Sequence, residues 1–139
     1  MSEAPVHGIV LAHGSMAEGM VDAVRQITGL DATALVPVSN RGLSPEALAD
    51  EVRKHVSGTT IVFTDLQSGS CGFAARRYLL DIPDLAIVTG VNLPILLEFA
   101  MHRELPISEL VPRLLNKARA AITSSVSSTE PHEHRAVSG

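Results

Sequence analysis

The chain is poor in three things: cysteine, clustered positive charge and long apolar runs. Its one thiol, Cys71, excludes an intramolecular disulfide and fits a reducing compartment, so the expected location is the cytoplasm. Eleven Lys and Arg stand against fifteen Asp and Glu, for a net charge of -4. No basic cluster is present that would track a phosphate backbone, so nucleic acid is not an expected partner. No apolar run approaches the ~18 residues of a membrane span, and the opening MSEAP lacks a basic segment followed by an apolar one. Direct membrane insertion is therefore not expected.

What is present is 45% hydrophobic residues in 139, ample for the core of one domain. Val6 to Ala12 is apolar on both parities, as in a strand buried on both faces, and it delivers His13 into the turn Gly14-Ser15. Met20, Val21, Val24 and Ile27 recur at helical spacing up to a stop at Gly29. Thr33 to Val38 reads as a second strand and Ser39 to Leu43 as a loop. Ser44-Pro45 then starts a helix with the stripe Leu48, Val52 and Val56, ended by Gly58. Thr59 to Thr64 is a third strand that places Asp65 at its carboxyl end. The run Gln67 to Gly72 reads as a loop, with a helix from about Phe73 to Leu80. A fourth strand, Leu85 to Thr89, hands over through Gly90 to Asn92 to a helix over Pro94 to His102. A last helix carries Leu110, Leu114 and Ala118, and Pro112 is expected to disturb its first turns. This gives a domain over 1–122 and a polar tail over 123–139, with a short edge strand at Ile122 to Val126 as an alternative opening of the tail.

Alternation of strand and helix implies an α/β fold with a mainly parallel sheet of four or five strands and helices on both faces. Ligands of such sheets bind beyond the carboxyl ends of the strands. His13, Asp65 and Asn92 all fall there. A histidine in that position is a nucleophile, a proton shuttle or a metal ligand, according to its company. An aspartate bonded to one ring nitrogen fixes the tautomer, leaves the other nitrogen free to attack, and stabilises the resulting cation. Electrophilic phosphorus is a natural target, since Ser68-Gly69-Ser70 before a helix offers backbone amides, the helix dipole and the Ser70 hydroxyl to phosphoryl oxygens. Such a site needs neither metal nor other cofactor. Singly, each feature has a plainer reading: Asp65 or Asn92 as a helix cap, the serine and glycine run as an ordinary turn.

The combination of His13-Gly14, Asp65-Leu66 with Gly69-Ser70, and Thr89-Gly90-Val91-Asn92-Leu93-Pro94 resembles the mannose-family enzyme IIA proteins of the bacterial sugar phosphotransferase system, over Val6 to Ile122. The resemblance implies a flavodoxin-like three-layer sandwich, commonly a homodimer formed through a C-terminal edge strand. It also implies a phosphotransferase activity in which phospho-HPr donates to Nε2 of His13 and the phosphoimidazole passes its group to a histidine or cysteine of a IIB partner. Asp65 would be the partner of His13. Gly14, Ser68, Gly69 and Ser70 would bind phosphate, and Asn92, Leu93 and Pro94 would shape the site. The IIB protein is expected to be separate, and a target of phosphorylation-dependent regulation is a further expected partner.

The loop departs from the family's common D-x-x-G-G-S-P-x-N. Ser68 stands for the first glycine, Cys71 for proline and Phe73 for asparagine, which puts the shape of the cradle in question and tilts the reading toward a regulatory role. Phe73 reads as a core side chain beside the solvated Arg76 and Arg77, and Cys71 as an inert small residue, with a lowered thiol pKa at the helix start as the alternative. His7, His55 and His102 call for no ligand, and His132 and His134 lie in the polar tail. A tetrapyrrole metal chelatase using His13 as metal ligand, or a binding module that no longer accepts phosphate, are the alternative readings.

Overall fold

The computed structural model describes residues 4–128. Its elements alternate as β1 (His7–Ala12), α1 (Met16–Thr28), β2 (Leu35–Ser39), α2 (Pro45–His55), β3 (Thr60–Thr64), α3 (Gly69–Tyr78), β4 (Leu85–Thr89), α4 (Leu93–Met101) and α5 (Ile107–Ala120). The four strands form one sheet in the order β2-β1-β3-β4, every pair parallel. This is the flavodoxin-like α/β sandwich, with strand order reversing between β1 and β3.

Both faces of the sheet are covered, which is why β1 and β3 are buried along their whole length and read as continuous apolar runs. On one face α1, α4 and α5 pack Val21, Val24, Leu96, Phe99, Leu110 and Leu114 against Val10, Ile61 and Phe63. Phe63 and Phe99 meet edge to face with ring centres 5.4 Å apart. On the other face α2 and α3 bring Leu48, Val52, Ala75 and Leu79 against Ile9, Leu11 and Val62. Each cluster is a filled interior in which removing a buried leucine side chain costs roughly 2–5 kcal/mol.

The helix ends follow the sequence signals. Gly29 closes α1 in the left-handed conformation (φ 71°), and the Ser44 side chain caps α2 by accepting from the Ala47 amide at 3.2 Å. Three expectations need correction. Helix α3 begins at Gly69, four residues before the expected start, because Gly69 and Ser70 form its first turn rather than a loop before it. Pro112 lies inside α5 without breaking it: the lost amide leaves one carbonyl of the first turn unbonded, while the stripe Leu110, Leu114 and Ala118 holds the helix to the core. The edge strand expected at Ile122 to Val126 is not formed within the single chain, where residues 122–128 join no ladder with the four strands; a strand needs a neighbour to pair with. The rest of the expected tail, including His132 and His134, lies outside the described residues.

Candidate functional site at the carboxyl edge of the sheet

Strand β1 ends at Ala12, so His13 leaves the sheet at its carboxyl edge, beside the end of β3. There one oxygen of Asp65 accepts twice from the same residue: the His13 backbone N–H donates to Oδ2 at 2.9 Å, and ring Nδ1 lies 2.7 Å from that oxygen. The other oxygen accepts from the Leu66 amide at 2.9 Å. Burial pushes the Asp65 carboxyl upward, but the hydrogen bonds and charge of His13 and the Leu66 amide outweigh it, and its pKa falls below the ordinary aspartate value. The carboxylate is thus ionised and aligned to hold a proton on Nδ1.

Nε2, the ring atom left free by that bond, faces the start of α3. Ser70 Oγ lies 3.5 Å from it. A Cβ built on Gly69 would stand 3.5 Å from ring Cε1 and 3.6 Å from Nε2, so the backbone of the loop passes directly beside the imidazole. Gly69 adopts φ +89°, a conformation that favours glycine, whereas Ser68 is extended at φ -101°. The serine in place of the first glycine of the common motif therefore costs the loop nothing, because the left-handed residue is the second. No Ser68 side-chain bond caps α3, and the first amides of a helix have no acceptor within it. Such amides are donors available to an anion.

Close approach also explains Gly72. A Cβ there would fall 2.2 Å from the Gln67 carbonyl oxygen, so only glycine lets α3 lie this close to the loop that carries Asp65.

The β2–α2 loop supplies two residues that the sequence reading left unassigned. Asn40 Nδ2 donates to Ser70 Oγ at 3.1 Å, while its Oδ1 accepts from the Gly14 amide at 3.2 Å, tying both sides of the cradle together. Arg41 brings a guanidinium nitrogen to 3.6 Å from where a Cβ of Gly14 would be. It is an exposed cation at the mouth of the site. The signal was present in the run Ser39-Asn40-Arg41-Gly42, but only pairing of β2 with β1 brings it beside His13.

Asn92, Leu93 and Pro94 take another place. The Asn92 side chain accepts from the Ile95 amide at 3.0 Å, capping α4, and donates to the Ala118 carbonyl at 3.2 Å, tethering α5. Its hydrogen bonds go to neither His13 nor Ser70. Strand β4 stands beyond β3, two places from β1, so the residues at its end are a strand further from the imidazole.

Cys71 is buried, with Sγ 3.8 Å from His13 Nδ1. Burial and then the Asp65 charge push its thiol up to about 11, against a lowering contribution from the Ser70 hydroxyl. The inert reading of Cys71 holds, and the lowered pKa does not. His13, Asp65 and Cys71 bring three potential metal-ligand atoms within 4.8 Å of one another. Two of these three atoms, Nδ1 and Oδ2, are already hydrogen-bonded to each other at 2.7 Å. Phe73, expected in the core, is 47% exposed and stacks edge to face on Tyr78, because the early start of α3 rotates it outward. Met16, Leu43 and Leu66 are also exposed, each within three residues of a site residue.

A phosphoryl carrier is the class of protein this geometry fits: a histidine with one nitrogen held by a carboxylate and the other open to amides and a hydroxyl. The family model described as "PTS system fructose IIA component" matches residues 8–115. A sorbose-specific IIA component of the phosphotransferase system from Klebsiella pneumoniae is 33% identical over 96 residues, 67% of this chain and 71% of that protein. Among solved structures, a mannose/sorbose-specific IIA subunit from Enterococcus faecalis superposes with a TM-score of 0.72 at 26% identity, covering 91% of this chain and 99% of that one. A phosphotransferase-system IIA component from Streptococcus agalactiae shares the fold, with a TM-score of 0.78 at 21% identity over 86% of this chain and 96% of that one. The chain belongs to the mannose-type IIA family of the phosphotransferase system. It is a phosphocarrier component of that system, and the chelatase reading is not favoured. Among the described residues no helix is long and apolar enough to cross a membrane.

Proposed function

We propose that His13 is the residue that carries the phosphoryl group, on Nε2. The observation that supports this most directly is the commitment of Nδ1 to the ionised Asp65 at 2.7 Å, which leaves the Nε2 lone pair as the ring's nucleophile. In the forward step that lone pair attacks phosphorus of phospho-HPr. The new Nε2–P bond forms as the P–N bond to the donor histidine breaks, and the donor nitrogen keeps its electron pair. The His13 ring becomes cationic, and Asp65 stabilises it without taking its proton. Ser70, the first amides of α3 and Arg41 meet the phosphoryl oxygens, and Asn40 holds Ser70 and Gly14 in register. The second step reverses the sense of attack, with a histidine or cysteine of a separate IIB protein as acceptor. Because one energy-rich P–N bond is exchanged for a comparable bond, both steps are readily reversible.

The exposed Met16, Leu43, Leu66 and Phe73 around this site suit transient docking of the two protein partners. A regulatory role, favoured on the altered loop alone, loses that support because Gly69 and Ser70 keep the cradle beside Nε2. Supply of phosphoryl groups to sugar uptake is the preferred role. A homodimer is the expected assembly: among the described residues the outer edge of β4 pairs with no strand, and along it Leu85, Ala86, Ile87 and Thr89 line a groove of about 330 Å³.

The test is phosphorylation of the purified chain with phosphoenolpyruvate, enzyme I and cognate HPr, followed by intact mass spectrometry at neutral pH. One acid-labile phosphoryl group, absent from His13→Ala, is the expected result. A phosphoryl group that persists on His13→Ala would place the carrier elsewhere.

A further inference from the structure

The opposite end of the sheet, where the strands begin, holds a cavity of about 680 Å³ lined in part by His7, Thr33, Lys54, His55, Thr59 and Arg103. His7 opens β1 and His13 follows its last residue, six positions and about 20 Å further along, so this cavity and the His13 cradle are distinct. The volume is that of a small-molecule site. All four titratable side chains in its lining are basic, and among the described residues no carboxylate lines it.

Two of the four are built into the fold. His7 is the first residue of the central strand β1, is 91% buried (9% exposed), and its Nε2 has no hydrogen-bond partner among the described residues. A buried polar atom without a partner bears its full desolvation cost, and a bound ligand atom would relieve it. Arg103 is locked to the start of the same strand: its Nε donates to the Val6 carbonyl at 2.8 Å and its own carbonyl accepts from the Val6 amide at 2.8 Å. Its two terminal nitrogens make no hydrogen bond among the described residues, so a fixed guanidinium is left with unused donors. Burial holds the His7 imidazole below its ordinary pKa, and the Arg103 charge pushes the same way, against the carbonyls of His55 and Thr33. The acidic neighbours lie outside the lining: Asp31 bonds the Thr33 amide and hydroxyl, and Glu51 pairs with Lys54 at 3.1 Å and with His55 at 3.7 Å.

We propose that this cavity binds a small metabolite carrying a phosphate or carboxylate oxyanion, with Arg103 as its fixed anchor, His7 Nε2 as a neutral hydrogen-bond donor and Lys54 and His55 adding positive charge beside it. Such a ligand pairs the unused donors of the Arg103 guanidinium and gives the buried His7 Nε2 the partner it lacks, while Lys54 and His55 already share Glu51. It also gives a carrier protein a second binding site that phosphorylation at the far pole leaves open. The inference is independent of which residue carries the phosphoryl group.

The simpler role for Lys54 and His55, in the last turn of α2, is to offset the helix dipole. The experiment separates the two. The full chain carrying Ser70→Ala, which weakens anion contacts at the His13 cradle, is titrated by ¹H–¹⁵N NMR with inorganic phosphate and, separately, with citrate, at constant ionic strength set by chloride. Saturable shifts at the His7 imidazole and at the Thr59 and Gly58 amides are expected, and the stronger of the two probes identifies the oxyanion. Loss of one charge-assisted contact weakens binding about tenfold in Arg103→Gln and several-fold in Lys54→Gln. Lys54 is exposed, so its substitution leaves the fold intact even if Arg103→Gln loosens the start of β1. Shifts that fail to saturate, that chloride reproduces, or that survive unchanged in Lys54→Gln would overturn the proposal.

Discussion

Asp65 holds His13 by two bonds to a single oxygen, one from the main chain and one from the ring. The main-chain bond fixes where β1 ends relative to β3; the ring bond fixes which nitrogen is free. Position and tautomer are set by the same atom.

Removing that atom should therefore affect rate more than folding. Asp65→Ala is expected to slow phosphoryl transfer from phospho-HPr by about 10- to 100-fold, the worth of one charge-assisted hydrogen bond to a developing cation. Rapid-quench kinetics with both proteins purified gives the number. Wild-type rates in the variant would take Asp65 out of the mechanism.

Asn40 bridges Ser70 and Gly14 without touching the ring. Asn40→Ala should reduce transfer several-fold while a thermal melt shifts by only a few degrees, the consequence of losing about 1 kcal/mol of hydrogen bonding. Conservative replacement by Asp, which keeps the acceptor for the Gly14 amide but not the donor to Ser70, should recover stability and not rate. An Asn40→Asp variant that recovers rate together with stability would mark Asn40 as structural only.

A substitution at Gly69 meets two penalties at once. Gly69→Ala forces an L-residue into φ +89° and sets a methyl group against the His13 ring. The first costs about 1–2 kcal/mol of stability, readable by urea unfolding. The second is an ordinary van der Waals contact, but it sets a methyl group 3.6 Å from Nε2 in space that a phosphoryl group on that atom would use, so the rate should fall further than the stability loss accounts for. Ser68→Gly should alter neither appreciably, since Ser68 is already extended.

Cys71, with its thiol pushed up to about 11, should resist alkylation at neutral pH in the folded protein and react at an ordinary rate once urea unfolds it. Fast iodoacetamide labelling of the native chain, followed by mass spectrometry, would contradict the burial that raises the thiol.

The lowered carboxyl of Asp65 carries a pH signature. The unfolded chain takes up a proton at Asp65 at a higher pH than the folded chain does. Its stabilising contribution is thus complete above the ordinary aspartate pKa of about 3.9 and is lost as pH falls through the lower folded value. Denaturant midpoints of Asp65→Asn should depend less steeply on pH across that acid range than those of the parent. Parallel curves would mean that the pair contributes nothing to folding.

Much of this was legible in the sequence. Apolar runs on both parities marked the two central strands, Gly29 and Ser44-Pro45 marked helix ends, and the order of strand and helix implied a parallel sheet whose carboxyl edge would collect His13 and Asp65. The start of α3 was not legible, because Gly and Ser residues read as loop unless packing at Gly72 draws them into a helical turn. The exposure of Phe73 followed from that same start, four residues earlier than periodicity suggested.

What the sequence determined by itself is the alternation of elements and the chemistry available at the end of each strand, since local period, caps and residue types are written in neighbouring positions. What only the tertiary structure decided is which of those ends meet. Strand order 2-1-3-4 places β1 between β2 and β3, so Asn40 and Arg41 reach His13 from one side and Asp65 and Ser70 from the other, while Asn92 remains with α4 and α5. The neighbours of a strand are set by how two helical layers bury their apolar faces on the sheet, an energy summed over the whole chain and carried by no single segment of it.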